Sequence, residues 1–461
     1  MWDLRWEALH LTLLLVGLHA FLYAFLFVVT LKPAFTLFHL FLATQTVAFV
    51  LRPLLGAAEG GFSLYGGPWD FYNQGLLINF IANGIVGVGY LMVYAWHRPR
   101  EGMGLQVFKG ALSVITWISF SLGAIVLTLI HLLSGGAWLP TARDQTVTTV
   151  VPFGKFLFPL AVIPLSFSLL SGMVLFYFNL RYTGKPLRFN FLRLTIFSTV
   201  TLASVLLLSL LYQRGFILSS FLAFFFLLGR FNRWGYAKLA LAALVSLLVL
   251  TQIRPLAVQI STFFSSSEST GAVSEQNGQN RVPFLQRQFL YSPNFDTIDV
   301  WPVVFSYVEE NGYLGGATFL AIPMRFFPLT VRKDTGSLTA VDVLNEYYWG
   351  ETYWEKSFGF NVTFIQEAYL NFGTLGIFLP LLSGMVGAWL DRKIWSMSLL
   401  TPARLCTLLA VFFVGIPVGE LGGILQWSLA FLMYGFALSV IMSFLRLAKR
   451  YHADSLPHHP R

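Results

Sequence analysis

The chain has 461 residues, of which 56% are hydrophobic and only 11% are charged. Soluble domains carry about 25% charged residues, so the composition excludes an ordinary soluble enzyme, a disordered tail and a fibrous repeat. The net charge of +9 is divided among short clusters between long apolar runs, as in membrane-protein loops and not in a nucleic-acid-binding patch. The single Cys406 excludes a disulfide framework and a multi-cysteine metal site. We therefore predict an all-α polytopic integral membrane protein that resides in the lipid bilayer and does not bind nucleic acid.

A transmembrane helix needs about 20 mostly apolar residues, and the chain contains about eleven such runs. The first run is too long for a signal peptide and lacks a small-residue cleavage site, so we expect a retained span. The runs lie at roughly 8–30, 35–55, 76–96, 109–133, 153–180, 192–212, 215–230, 236–253, 363–389, 404–418 and 421–445. They predict an N-terminal bundle of about eight helices (1–253) and a C-terminal bundle of about three (363–445).

Lys and Arg in short loops predict the orientation, because they gather on the cytoplasmic side. The basic connections contain Arg98, Arg100 and Lys109; Arg181, Lys185, Arg188 and Arg193; Arg230, Arg233 and Lys238; and Arg392, Lys393 and Arg404. They fall on every second loop, and the basic tail (446–461) falls on the same side. The C-terminus is therefore predicted to be cytoplasmic.

The same topology makes residues 254–362 a large extracytoplasmic loop, which is net acidic. Its low-complexity stretch 265–280 is predicted to be a hinge or lid. Residues 314–329 are apolar but are interrupted by Arg325 and two prolines. We predict a re-entrant or interfacial segment buried against protein, because irregular backbone is not tolerated in contact with lipid.

Several kinds of chemistry have no motif in this sequence. There is no Walker A loop, no G-x-G-x-x-G after a strand and no H-E-x-x-H, and no histidine lies between residues 132 and 451. We expect no metal and no cofactor. Asp296 and Asp299 form a D-x-x-D pair, which is either a weak divalent-cation site or a solvated loop face or helix cap.

A few ionisable residues at membrane borders are the candidates for chemistry. Glu367 lies just inside a predicted span, where an ionisable residue is a functional candidate, although it also suits the start of a helix at the water interface. Arg214 stands in a tight outer turn, where its guanidinium suits a phosphate or anchors the helix by snorkelling. Arg325 needs an anionic partner, either a carboxylate or a phosphate, and Arg332 and Lys333 follow it closely.

The aromatic run at 347–360 has two interpretations that remain equally open. Tyr and Trp at a membrane surface form interface belts. Interleaved with carboxylates, they also suit a carbohydrate, whose apolar faces stack on rings while its hydroxyls donate to carboxylates. The candidate sugar-binding residues in this run are Tyr348, Trp349, Glu351, Tyr353 and Trp354.

Three segments together resemble a known family. The stretch FIQEAYLNFGTLG (364–376) resembles the E-x-Y-x-N-F-G-x-x-G signature of Wzy-type O-antigen polymerases, which join oligosaccharide repeat units in bacteria. IPMRFFPLTVRK (322–333) resembles that family's Pro-Arg segment, with Met324 where the pattern has Pro. Arg214-Gly215 is similar to its R-G motif. The span layout with a large late outer loop is similar over the whole chain.

The resemblance implies a metal-independent, GT-C-like glycosyltransferase of the bacterial inner membrane, with its active site on the periplasmic face. It would polymerise undecaprenyl-pyrophosphate-linked repeat units into O-antigen, capsule or exopolysaccharide, together with a flippase and a chain-length regulator. Cations would bind the pyrophosphate, and a carboxylate would act as base or orient the acceptor. The implied pyrophosphate ligands are Arg214, Arg325, Arg332 and Lys333. The first candidate for the carboxylate is Glu367, followed by Glu309, Asp299 and Asp296. Asn371 is added to the candidate sugar-binding residues.

Three alternatives remain open. An O-antigen ligase shares the general architecture, but members of that class resemble one another in having a histidine in the large outer loop, which is absent here. A transporter or lipid flippase predicts polar residues along several spans and two pseudo-symmetric halves. A non-enzymatic membrane scaffold does not require Arg325 or Glu367 at semi-buried positions.

Overall fold

The structure, a computed structural model, describes residues 2–30, 36–59, 68–96, 106–107, 109–133, 154–182, 187–210, 214–232, 296–326, 333–336, 338–356, 362–396, 399–414 and 421–454. The predicted span 236–253, the low-complexity stretch 265–280 and Arg332 lie outside these residues. The side chains of Arg214, Asp296, Arg325 and Trp354 also lie outside what is described.

The N-terminal half consists of long apolar helices. They are α1 (Trp2–Thr30), α2 (Leu37–Thr46), a π-helical turn (Val47–Leu51), α3 (Arg52–Glu59), α4 (Trp69–Trp96), α5 (Lys109–Leu133), α6 (Gly154–Tyr182), α7 (Leu187–Leu210) and α8 (Arg214–Asn232). Helix α6 is the centre of this half, since 83% of its apolar window is buried. A short strand β1 (Gln106–Val107) precedes α5.

The C-terminal half starts with short helices and ends with long ones. The short elements are a 3₁₀ turn (Asp296–Ile298), α9 (Trp301–Asn311), α10 (Ala317–Leu320), a second 3₁₀ turn (Ile322–Phe326), α11 (Ala340–Trp349) and α12 (Glu351–Lys356). They are followed by α13 (Phe364–Phe372), a third 3₁₀ turn (Gly373–Phe378), α14 (Pro380–Trp395), β2 (Leu399–Leu400), α15 (Pro402–Val414) and α16 (Leu421–Asp454).

In the described part of the chain, seven helices are long and apolar enough to cross a membrane. An eighth candidate is the pair Phe364–Phe378 and Pro380–Ile394, which is bent by 75°. The apolar helices Gly215–Gly229 and Pro402–Phe412 are shorter. The prediction of an all-α polytopic membrane protein is confirmed, whereas the predicted span 363–389 is not one straight helix.

Helices α4 and α14 pack closely because glycine lines their crossing. A Cβ atom at Gly384 would collide with the Val86 carbonyl, and one at Gly89 would collide with the Leu381 carbonyl. Lipid tails are as apolar as leucine, so membrane helices associate through close backbone approach instead of hydrophobic transfer. Large apolar side chains such as that of Phe21 consequently remain exposed on the outside of the bundle.

Contacts between distant segments gather the connections at two ends of the bundle. At the start of α4, Asn73 accepts a hydrogen bond from Thr12 at 2.6 Å. Near the end of α4, Tyr90 donates to Asp391 at 2.9 Å, and Asp391 also accepts from the Leu37 amide at 2.8 Å. The parallel pairing of β1 with β2 joins two connections that the charge pattern assigns to one side. This grouping agrees with the alternation of loops predicted from the basic residues.

Candidate functional site

The segment that resembles the E-x-Y-x-N-F-G-x-x-G signature forms a helix that is broken after three turns. The hydroxyl of Thr363 caps the amide of Gln366 at the start of α13. At the break, Gly373 has φ +59°, and a Cβ there would lie 2.7 Å from the Tyr313 ring. A Cβ at Gly376 would collide with the Ala368 carbonyl. Gly373 is therefore required where α13 ends, and Gly376 is required by its close contact with Ala368; the 75° bend follows between Phe378 and Pro380.

Asn371 attaches the turn 314–318 to the end of α13. Its Nδ2 donates to the Thr318 hydroxyl at 2.6 Å and to the Glu367 carbonyl at 2.7 Å, while its Oδ1 accepts from the Gly316 amide at 3.0 Å. The amide of Leu314 adds a backbone bond to Leu370 at 3.1 Å. Because Asn371 is buried and its amide group is occupied, it is not available as the sugar ligand that the resemblance implied.

Glu367 is only 1% exposed and joins three segments of the chain. One carboxylate oxygen accepts from the Thr318 hydroxyl at 3.1 Å. The other accepts from the Leu421 amide at 2.7 Å, at the first residue of α16. The first amides of a helix lack partners within it, and its dipole favours an anion there. The Glu367 carboxylate thus stabilises the start of the last helix and holds the turn 314–318 beside it.

The three segments that carry the resemblance meet at α16. Phe216, two residues after Arg214, contacts Trp427 and Phe431 of α16 with ring centroids 4.7 and 5.8 Å apart. The 3₁₀ turn Ile322–Phe326, which contains Arg325, also packs against α16. Glu367 bonds to its first amide. Segments far apart in the sequence are thereby brought to one helix.

Asp299 forms a buried ion pair with Arg52 at the start of α3. Both side chains are at most 3% exposed, so Asp299 is neither a solvated loop residue nor an available base. Among the described residues, no group of three or more His, Cys, Asp or Glu lies together as a metal site would require. Arg52 lies inside the predicted apolar run 35–55, where a cation needs an anionic partner.

Residues 296–301 are attached to both halves of the protein. Gln366, the neighbour of Glu367 in α13, donates to the Thr297 carbonyl at 2.5 Å. On the opposite side, Trp301 packs so tightly on α4 that a Cβ at Gly75 would lie 2.5 Å from its ring. Trp301 also contacts Tyr369 edge to face at 5.5 Å. Together with the Arg52–Asp299 pair, these contacts align α13 with the N-terminal bundle.

The candidate sugar-binding residues separate into buried and exposed ones. Tyr353 is only 6% exposed, and its hydroxyl donates to Asp342 at 2.7 Å, so its ring offers no face to a sugar. Tyr348 is exposed and contacts Trp349 edge to face at 4.8 Å. Glu351 is exposed but forms an ion pair with Lys333 at 2.6 Å, so a predicted sugar ligand and a predicted phosphate ligand bind each other.

Helices α9 and α11 together form an aromatic–acidic face, of which the sequence predicted only the part on α11. We define it by Tyr307, Glu310, Glu346, Tyr347 and Tyr348. Tyr307 and Tyr347 meet edge to face at 5.3 Å. Burial raises the pKa of Tyr347, and its hydrogen bond with Glu310 raises it further; burial and then Glu346 likewise raise the pKa of Tyr307. The Tyr347 hydroxyl therefore donates its hydrogen bond to Glu310 of α9. The spacing of Tyr307 from the aromatic run gave no signal of this pairing.

No family model, curated protein or solved structure matches this chain. The helical membrane architecture and the contacts of the three segments with α16 are observed in the structure and do not depend on a match to a known protein. The resemblance to Wzy-type polymerases rests on the short motifs and the span layout, and it enters the functional assignment as a proposal.

Proposed function

We propose that this protein is a membrane glycosyltransferase that polymerises oligosaccharide repeat units carried on a polyprenyl pyrophosphate. The observation that supports this most is the meeting of the segments containing Arg214, Arg325 and Glu367 at α16. The O-antigen ligase alternative is disfavoured because no histidine lies between residues 132 and 451.

The proposed reaction needs cations and a base, and it needs neither a nucleotide nor ATP. An acceptor hydroxyl attacks the anomeric carbon of the lipid-linked chain, the bond from that carbon to the pyrophosphate oxygen breaks, and the hydroxyl proton passes to a carboxylate. Arg214 and Arg325 would stabilise the leaving pyrophosphate, because guanidinium groups bind phosphate oxygens bidentately. Lys333 would join them only after releasing Glu351.

Glu367 fits a positioning role better than the role of base. Its side chain is only 1% exposed and both of its oxygens accept hydrogen bonds from protein groups, so an acceptor sugar has no open approach to it. Glu309 is exposed at the end of α9 and lies near Tyr369 of α13, so we place the base there. In this proposal Glu367 orients the turn 314–318 and α16 around the reacting groups.

The acceptor glycan would lie on the aromatic–acidic face. The tyrosine rings present apolar faces, and the exposed Glu310 carboxylate accepts from sugar hydroxyls. Tyr353 and Asn371 are not part of this surface, because both are buried and hydrogen-bonded within the protein.

The test is chain extension by the purified protein in lipid vesicles, using lipid-linked repeat units from cells that lack this gene. We expect Arg214→Ala and Arg325→Ala each to stop elongation at single or very short units. Arg392→Ala is the matched control, because Arg392 is an exposed arginine of α14 near the opposite end of the bundle. Addition of a chelator should leave the rate unchanged. A normal long-chain ladder from the Arg214/Arg325 double variant would contradict the proposal.

A further inference from the structure

Polar side chains lie inside the bundle formed by α1, α2 with its π-helical turn, and α4. The buried residues of this cluster are Thr12, His19, Tyr23, Gln45, Asn73, Asn79 and Asn83. All of them belong to helices long and apolar enough to cross a membrane, where polar groups are costly and mark functional sites. None belongs to the segments that meet at α16, so the cluster is independent of the proposed glycosyltransferase activity.

Helices α1 and α4 place these side chains at matching depths. Thr12 bonds to Asn73, 61 residues later, and Tyr23 accepts from Asn83 at 2.8 Å, 60 residues later. The two helices therefore run in parallel with an offset of 60 to 61 residues, which brings His19 to the level of Asn79. His19 and Tyr23 lie one turn apart on α1, and Asn79 and Asn83 lie one turn apart on α4; the His19 ring contacts Phe80 of α4 at 5.5 Å.

The asparagines each use their donor atoms and leave an acceptor unoccupied. The Nδ2 of Asn79 donates to the Gly75 carbonyl at 2.7 Å. The Nδ2 of Asn83 donates to the Tyr23 hydroxyl and, at 3.2 Å, to the Gln45 side-chain oxygen. The Oδ1 atoms of Asn79 and Asn83 are buried with no hydrogen-bond partner among the described residues.

His19 contributes a third acceptor. Its Nδ1 lies 2.9 Å from the Leu15 carbonyl, and because a carbonyl only accepts, Nδ1 carries the proton. The Nε2 of the neutral imidazole is then an acceptor, and it too is buried without a partner in the described part of the chain. The rings of Phe49 and Phe80 pack at 5.8 and 5.5 Å from the imidazole. Phe49 belongs to the π-helical turn, an irregularity that is frequent at functional sites.

We infer that this cluster is a binding site for one small ligand that donates hydrogen bonds or carries positive charge. Buried polar groups in native proteins are satisfied by protein, ordered water or ions, and three acceptors without a donor select a ligand of this kind. An ordered water and a monovalent cation share this chemistry. Asn79, Asn83 and His19 supply the ligating atoms, and Phe49 and Phe80 exclude lipid.

The site is tested by density maps of the protein in lipid nanodiscs, at a resolution that shows ordered water, in Na⁺ and in N-methylglucamine buffers. A peak beside Asn79 and His19 in both buffers identifies water, at about 2.7–3.2 Å from its acceptors. A peak only in Na⁺ identifies the cation, and the unfolding temperature should then rise with Na⁺ concentration. Absence of a peak in both buffers overturns the inference.

A second measurement uses Asn79→Leu and Asn83→Leu, which replace an acceptor by an apolar group of similar size. If the site is filled, we expect both variants to lose the peak and to unfold at a lower temperature than the unmodified protein. Asn179→Leu is the matched control, since Asn179 is a buried asparagine of α6 with the same bond to the carbonyl four residues earlier, at 2.8 Å, and it should leave the peak in place. A higher unfolding temperature for both α4 variants would overturn the inference, because removal of unsatisfied acceptors stabilises an empty site.

Discussion

The two hydrogen bonds of Glu367 make a quantitative prediction about the start of α16. Glu367→Ala removes the acceptors of the Leu421 amide and the Thr318 hydroxyl. A hydrogen bond to a charged group contributes about 1.5–3 kcal/mol, so the loss of both is worth about 3–6 kcal/mol. Glu367→Gln keeps one acceptor oxygen and loses the charge that interacts with the helix dipole, a loss of about 1–2 kcal/mol.

These energies are measured most directly by hydrogen exchange at the first turn of α16. Each 1.4 kcal/mol is a factor of ten in an opening equilibrium, so we expect exchange there to be about 10²–10⁴-fold faster in Glu367→Ala. The acceleration in Glu367→Gln should be only about 5–30-fold. Peptides from the buried helix α6 serve as the internal reference, and Glu309→Ala, at an exposed carboxylate of α9, is the matched control variant with unchanged exchange.

The same variants separate a positioning role of Glu367 from that of a base. A positioning group predicts that Glu367→Gln retains much more elongation activity than Glu367→Ala. A base predicts that both variants lose activity equally, by about 10²–10⁴-fold. If the amides at the first turn of α16 exchange as slowly in Glu367→Ala as in the unmodified protein, the Glu367 carboxylate does not stabilise the start of α16.

Two further perturbations test the attachment of α13. Gly373→Ala introduces a Cβ at positive φ and against the Tyr313 ring; we expect a lower unfolding temperature, whereas Gly17→Ala, at a helical glycine with open space around it, should leave the temperature unchanged. Arg52→Met leaves Asp299 buried without its ion-pair partner and should destabilise the protein by about 3–5 kcal/mol. The stability is lost because the Asp299 charge remains buried without its partner. Arg52→Met combined with Asp299→Leu should therefore recover most of the lost free energy of unfolding. A double variant as unstable as Arg52→Met alone would contradict a buried ion pair.

Local features of the sequence predicted several parts of this protein. Long apolar runs separated by basic clusters predict membrane helices, because the period and length of such runs depend only on the bilayer and on hydrogen bonding within each helix. The pairing of β1 with β2 joins two connections that the charge alternation assigned to the same side.

The role of each polar residue was decided by tertiary contacts, since a sequence does not show which distant group a side chain meets. Glu367 had the sequence signature of a catalytic carboxylate, yet its partners Thr318 and Leu421 hold it within the framework. Asp299 resembled a loop carboxylate until Arg52, 247 residues earlier, was found beside it.

The small share of charged residues marked where chemistry was to be sought. The sequence by itself determined that the chain is a helical membrane protein with few charged residues, because hydropathy acts locally along the chain. Only the tertiary structure decided which of these groups stabilise helix ends and ion pairs and which stay exposed. The physical reason is that the energy of a buried charge depends on partners that are brought together by packing.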